Sequence, residues 1–160
     1  GVVWGFSTQP HYVARFESIT NTTTDGSNLG RFDVWTSSIN MFKDHPVTGV
    51  GIGQWRTIYE ASYRLPTENQ HLYHAHNNFI QLLGEVGLLG LLGVLIFYGS
   101  IIIDNFVVWF KKRDPYSLCA MIAVICYVFV FGQVEYTLDN SSGMRIMYFM
   151  LATMLQLRDN

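Results

Sequence analysis

The stretch HAHNN (residues 74–78) and the apolar run that follows it, VGLLGLLGVLIFYGSIIIDNFVVWF (residues 86–110), decide the fold of this chain. At about 1.5 Å per residue, the run exceeds the ~30 Å hydrocarbon core of a bilayer and can cross it with some tilt. Asn78, Gln81 and Glu85 stand at helical spacing at the start of this segment, which predicts that they share one helix face. Because burying Glu85 in lipid would be costly, we expect that face to meet protein or water.

Two more apolar runs follow. The sequence therefore predicts about three transmembrane helices, at residues 86–110, 116–138 and 142–157. Basic residues follow the first run at 111–113 and the third run at Arg158. By the positive-inside bias these two ends lie in the cytoplasm, so the segment before residue 79 lies outside it.

The expected fold class is all-α, a polytopic membrane protein fragment. Residues 1–78 would form a large extracytoplasmic loop region, and residues 79–160 would hold the transmembrane helices. Within the first part, residues 7–30 are polar and typical of an exposed loop. Residues 31–42 and 54–63 show the apolar spacing of short amphipathic helices. Because the chain starts without methionine or a signal-peptide layout, we interpret it as a fragment of a larger protein.

Composition narrows the possible partners. The chain is 49% hydrophobic and only 14% charged, against roughly 25% charged residues in soluble domains. A formal net charge of -2 provides no basic surface for nucleic acid. A lipid bilayer is therefore an expected partner and nucleic acid is not.

The glycine-rich segment GVGIG (residues 49–53) allows two interpretations. It is not a dinucleotide-binding fingerprint, because its spacing is wrong and the sequence offers no βαβ context. It could bring backbone N–H groups close to a phosphate, or it could be a turn packed against lipid or core.

Three chemistries could use the histidine stretch. A histidine can act as a general base near neutral pH, with an arginine neutralising a diphosphate leaving group. His71, His74 and His76 are close enough in sequence to suggest a metal site, although their spacing fits no standard zinc pattern. Alternatively, the histidines have a non-enzymatic role in capping, hydrogen bonding or gating a pore.

The segment His76-Asn77, nine residues, then Gly87-x-x-Gly90 resembles the signature of the O-antigen ligase family. Arg31-x3-Trp35, followed by residues 45–53, is similar to the outer loop of that family. The resemblance covers residues 31–90, and the later spans agree in order and orientation. It does not separate ligases from the related O-antigen polymerases.

The resemblance implies a membrane glycosyltransferase at the extracytoplasmic face of the bacterial cytoplasmic (inner) membrane. Such enzymes transfer a glycan from an undecaprenyl-diphosphate carrier to an acceptor hydroxyl, with no cofactor and no catalytic metal. His76 would be the base, and Arg31 would bind the diphosphate. A second arginine of the family pattern lies upstream of this fragment, so we expect the isolated chain to lack a complete site.

Four further residues are candidates for substrate binding: Asn77, Arg56, His74 and Glu85. Asn77 would orient His76 or cap the helix. Glu85 would hold the histidine region through a hydrogen bond, or pair with an arginine for stability alone. Arg56 adds positive charge to the outer segment.

Two alternatives stay open. The same family includes polymerases that join glycan repeat units into O-antigen or exopolysaccharide. In a different class, a polysaccharide transporter component would line a pathway with Glu85, Glu135 and Arg145. A transporter would keep such groups near the bilayer midplane, whereas here the sequence places them at the outer interface, which favours the enzyme.

Overall fold

The computed structural model describes residues 26–68 and 72–159. Within these residues every regular element is a helix, which confirms the all-α prediction. In chain order they are α1 (Gly26–Asp44), α2 (Trp55–Ile58, continued by a π-helical turn Tyr59–Tyr63), α3 (Asn78–Lys112), α4 (Pro115–Val124, continued by Ile125–Val130 and Phe131–Gln133) and α5 (Ser141–Asp159).

The first helix begins five residues before the apolar spacing that predicted it, which starts at residue 31. We predicted a loop to residue 30 and a helix from 31, but α1 already begins at Gly26. Glycine, serine and asparagine are weak helix formers, and such local propensity is overridden when a longer helix packs as a unit. Residues 1–25 and His71 lie outside the described residues, and so does most of the predicted loop.

Among the described residues, two helices are long and apolar enough to cross a membrane, α3 and the continuous segment Pro115–Gln133, with mean hydropathies of 2.5 and 2.0. Along α3, large apolar side chains seven residues apart stay 61–71% exposed: Leu89, Ile96, Ile103 and Phe110. A water-soluble surface rarely shows such a row, whereas lipid covers it. The third predicted span forms α5, and its crossing of the bilayer stays a prediction.

Helices α3, α4 and α5 pack around one apolar core, formed by Tyr98, Ala120, Val124, Val128, Met147 and Leu151. At the far ends of α3 and α5, Arg158 Nη1 donates to Asp104 Oδ2 at 2.7 Å. This ion pair joins two helices that run in the same direction, so α4 is the return pass between them.

A second core holds the segment before α3. It consists of Val34, Met41, Trp55, Tyr59 and Ala75. The Trp55 and Tyr59 rings stack with centroids 4.8 Å apart. Ala75, between the two histidines, is fully buried in this core, so the histidine stretch belongs to a packed unit.

Helix α3 is broken at Gly87, whose φ of 65° and ψ of -164° are not helical. The backbone groups released there bond to loop 46–53, which lies along the break. The four bonds are Val50 N to Gly84 O, Gly51 N to Glu85 O, Leu88 N to Pro46 O and Leu89 N to Val47 O. The glycine-rich segment is thus a turn packed against the protein.

The glycines at this contact have little room. A Cβ on Gly87 would lie 2.5 Å from Val47 O, and one on Gly49 would lie 2.4 Å from the Glu85 carbonyl carbon. Because of the break, a Cβ on Gly90 would meet the Val86 side chain at 2.3 Å. The Gly-x-x-Gly pattern therefore marks a helix break with a loop docked on it.

We expect Gly87→Ala to destabilise the full-length protein by at least ~1–3 kcal/mol, because this backbone region is nearly restricted to glycine. The measurement is the thermal unfolding midpoint in detergent. The control is Gly93→Ala in the same helix, where a Cβ meets nothing within 4 Å and alanine favours the helix. Equal midpoints for Gly87→Ala and its parent would show that the break is not required.

Candidate functional site

Two hydrogen bonds to the backbone of Ala75 fix the position of the histidine stretch. Trp35 Nε1 on α1 donates to Ala75 O at 2.6 Å, and Ala75 N donates to Gln81 Oε1 at 2.8 Å. The rings of His74 and His76 on either side lie 4.2 Å apart between centroids. Two separate helices therefore fix where these imidazoles stand.

His76 has a left-handed backbone, with φ of 48°. Few non-glycine residues adopt this conformation, and it costs of order 1 kcal/mol or more unless the surroundings impose it. Here Ala75 is pinned before it and Asn77 caps α3 after it. Strain of this kind is common at functional sites, which marks His76 as a candidate on geometry alone.

Glu135 bridges the two histidines. Its Oε2 lies 3.2 Å from His76 Nδ1, and its Oε1 lies 3.5 Å from His74 Nε2. A carboxylate only accepts, so a neutral His76 imidazole in this contact carries its proton on Nδ1 and its lone pair on Nε2. The backbone N–H of His76 donates to His74 Nδ1 at 3.3 Å. This bond places the proton of a neutral His74 ring on Nε2, toward Glu135.

The electrostatics favour a neutral His74 beside a charged acid. Burial, and next the proximity of His76, lower the pKa of His74. Burial pushes the pKa of Glu135 upward, but the hydrogen bonds from His76 and from the Tyr136 N–H outweigh it and hold this pKa below its usual value. Glu135 therefore stays ionised at neutral pH.

Asn77 and Asn78 tie the start of α3 to the end of α4. Asn77 Oδ1 accepts from the N–H groups of Phe79 and Ile80, so the predicted capping role is present. Its Nδ2 donates to Gln133 O at 3.1 Å. Asn78, fully buried, donates to Val128 O at 3.0 Å and accepts from Thr137 N at 2.8 Å. These bonds place Glu135 opposite the histidines.

Glu85 is linked to the histidine stretch through hydrogen bonds made by Gln81. Its Oε1 accepts from Gly53 N at 2.5 Å, and its Oε2 accepts from Gln81 Nε2 at 3.0 Å. Gln81 in turn accepts from Ala75 N. Glu85 thus reaches the histidine stretch through Gln81, without a direct bond to either imidazole, and within the described residues it pairs with no arginine.

The two candidate arginines, Arg56 and Arg31, lie on different helices and have different surroundings. The Arg56 guanidinium lies over the Tyr73 ring, 4.1 Å from its centroid. Arg31 lies on α1 one helical turn before Trp35, on the same face as the indole that holds Ala75. Within the described part of the chain, Arg31 forms no hydrogen bond or ion pair, so its side chain is unengaged there.

A cavity of about 320 Å³ opens beside His74. Its lining includes Trp55, Arg56, Tyr73, His74, Glu85 and Tyr136. The structure therefore brings His74, Arg56 and Glu85 to one cavity, with His76 next to His74, whereas Asn77 is occupied in capping.

Sequence reasoning missed Glu135 and Gln81 as site residues. Glu135 was recognised as an acid near the outer end of the second span, but its contact with His76 could not be predicted, because the two residues are 59 positions apart in sequence. Gln81 stands on the predicted polar face of α3, which was the signal that could have found it.

His74, His76 and Glu135 could also hold a metal ion, since one ligand atom of each lies within 4.8 Å of the others. This set shares His74 and His76 with the three histidines suggested by sequence and adds Glu135, which follows the end of α4, whereas His71 lies outside the described residues. The same atoms serve equally as a hydrogen-bonded base, and a chelator distinguishes the two uses.

The model of the O-antigen ligase family matches residues 2–95, which include the histidine stretch and the glycine pair at the helix break. This chain belongs to the O-antigen ligase family. It is also 26% identical over 136 residues to "Exopolysaccharide production protein ExoQ" of Rhizobium meliloti (strain 1021), covering 78% of this chain. The chain spans 30% of the length of that relative. No solved structure matches it significantly.

Membership places this O-antigen ligase family chain among bacterial membrane proteins, in agreement with its two membrane-length helices. The structure also explains why the signature pairs His-Asn with a glycine ten residues after the asparagine. The asparagine begins the helix that the glycine later breaks, and the loop docked on the break supplies Gly53 to Glu85.

Proposed function

We propose that the full-length protein joins a glycan carried on undecaprenyl diphosphate to an acceptor hydroxyl, at the outer face of the bacterial cytoplasmic membrane. The observation that carries the proposal is the hydrogen bond from His76 Nδ1 to Glu135, because it leaves Nε2 as the basic atom of a ring whose neighbour, His74, lines a polar cavity. Family membership supports polysaccharide biosynthesis in a membrane.

The proposed step is a displacement at the anomeric carbon of the donor. His76 Nε2 takes the proton of the acceptor hydroxyl as its oxygen bonds to that carbon, and the bond from the carbon to the diphosphate oxygen breaks. Glu135 stabilises the imidazolium that forms and fixes its orientation. Arg31 pairs with the diphosphate and its departing charge.

The proposed topology places residues 1–78 outside the cytoplasm and the basic residues 111–113 inside. It is supported by the position of the polar residues, which lie before the break in α3 and after the end of α4. Such groups would stand at the outer interface rather than at the midplane, which supports an enzyme over a transporter.

A polymerase of the same family is the second candidate. The relative named for exopolysaccharide production supports a reaction in which the acceptor is itself a glycan chain. Ligase and polymerase share the donor and the base, and they differ in the acceptor. Acceptor identity therefore decides between them.

The test uses full-length protein in lipid nanodiscs, an undecaprenyl-diphosphate-linked glycan and a panel of glycolipid and glycan acceptors, with and without EDTA. We expect transfer that the chelator leaves unchanged, and the productive acceptor separates ligase from polymerase. Transfer abolished by EDTA and restored by a divalent ion would assign His74, His76 and Glu135 to a metal site. No transfer to any acceptor would overturn the proposal and make glycan flux the next measurement.

A further inference from the structure

We propose that the cavity beside His74 binds the sugar of the acceptor, as a neutral and hydroxyl-rich ligand, while the donor diphosphate binds outside it. This inference rests on the proposed function, because it assigns a substrate to one part of the same site. Three observations carry it: the charge of the lining, its unused hydrogen-bonding capacity and its path toward His76.

The charge of the cavity disfavours a diphosphate. Among the described residues that line it are two carboxylates, Glu85 and Asp139, and one guanidinium, Arg56. Glu85 is only 8% exposed and is held by Gly53 and Gln81, so it cannot turn away from an approaching anion. A diphosphate would meet net negative charge in a partly buried site, whereas hydroxyl groups carry no such cost.

The lining keeps donors and acceptors free for hydroxyl groups. The Arg56 guanidinium stacks on Tyr73 and forms no hydrogen bond with another described residue, so its N–H groups remain available at the cavity that it lines. Asp139 forms no hydrogen bond with another residue of the described chain. Burial raises the pKa of Tyr136, so its hydroxyl stays protonated; it donates to Glu85 Oε2 at 3.5 Å, and its oxygen can accept from a ligand. Carboxylates that accept and guanidinium groups that donate together match the mixed character of sugar hydroxyls.

The shape of the cavity fits a short sugar segment. Its volume of about 320 Å³ is at the lower end of the range for small-molecule sites, roughly 300–1,000 Å³. Aromatic rings of Trp55, Tyr73 and Tyr136 supply flat apolar walls beside the polar groups. This is the balance of apolar walls and few oriented polar groups expected of a specific site.

The cavity leads toward the proposed base. A neighbouring cavity of about 210 Å³ shares His74, Tyr136 and Asp139 with it and is also lined by Glu135. Both cavities are lined by His74, whose ring lies 4.2 Å from that of His76, so a sugar bound in them lies beside the histidine pair. Arg31 is not among the described residues that line either cavity, so the diphosphate and the acceptor have separate places.

The test measures KM for the acceptor and for the donor separately, in the full-length protein. Arg56→Gln and Asp139→Asn should each raise the acceptor KM about tenfold, the effect of losing one charge-assisted hydrogen bond, and leave the donor KM within about twofold. Matched controls remove charge elsewhere: Lys112→Gln at the far end of α3 and Glu60→Gln on α2. A rise in the donor KM with an unchanged acceptor KM would place the diphosphate in the cavity and overturn the inference.

Direct binding separates this inference from the proposed reaction. The full-length His76→Asn variant is titrated with a panel of neutral mono- and disaccharides, with native mass spectrometry or calorimetry as the readout. We expect at least one sugar to bind, Arg56→Gln to weaken it about tenfold and inorganic diphosphate not to displace it. If no sugar binds, or diphosphate displaces it, the inference fails even where transfer itself has been demonstrated. Sugar binding without transfer would support the cavity and count against the proposed reaction.

Discussion

Replacing His76 with asparagine should lower kcat for glycan transfer by ~10²–10⁴-fold, the usual contribution of a general base. Asparagine suits this test because it tolerates the left-handed backbone that His76 adopts, at φ of 48°. It keeps a polar side chain but has no nitrogen that accepts a proton. The loss should therefore come from chemistry, with the thermal unfolding midpoint unchanged within a few degrees.

The matched control for this variant is His45→Asn, an exposed histidine in the loop before the glycine-rich segment. It should transfer glycan at the parental rate. If His76→Asn kept activity within a few fold of the parent, with the same acceptor, the base would have to be another group. His74 is then the first to test, because its ring lies next to that of His76.

Replacing Glu135 with glutamine should lower kcat by ~10²-fold with little change in the acceptor KM. A glutamine N–H that donates to His76 Nδ1 would move the imidazole proton to Nε2, where the base must have its lone pair. It would also remove the charge that stabilises the imidazolium. Glu135→Asp, which keeps the charge on a shorter arm, should recover part of the rate.

Glu60→Gln on α2 is the matched control, since it makes the same chemical change at an exposed carboxylate that pairs with Arg64. Glu135 acts through His76, so its effect should appear in kcat, and it should vanish in the His76→Asn background. A purely structural Glu135 would instead lower the unfolding midpoint and leave kcat per folded molecule unchanged. Additive losses in the double variant would contradict a shared role.

The sequence predicts the parts of this fold that depend on local periodicity. Asn78, Gln81 and Glu85 do share a buried face of α3, with exposures of 0%, 3% and 8%. The apolar run from residue 86 lies in a membrane-length helix, as its length requires. Asn77 caps that helix, as its position before the run suggested.

Features that depend on contacts between residues far apart in the sequence could not be predicted from local periodicity. The pairing of His76 with Glu135 exists because Asn77 and Asn78 bind the end of α4, and no local pattern encodes that. Docking of loop 46–53 on the break at Gly87 likewise needs two segments that composition treats separately. Glu85 was assigned to the right region, but its link through Gln81 requires coordinates.

The break at Gly87 also determines how far the histidine stretch lies from the start of the apolar part of α3. Residues 78–86 rise about 13 Å as a helix above the point where the apolar stretch begins. Polar headgroups occupy only the outermost several ångströms on each side of a bilayer, so the proposed topology would place the imidazoles at or just above the level of the lipid phosphates. A base at that level would meet a lipid-carried donor by lateral diffusion in two dimensions. The proposed reaction would then not require the donor to leave the membrane.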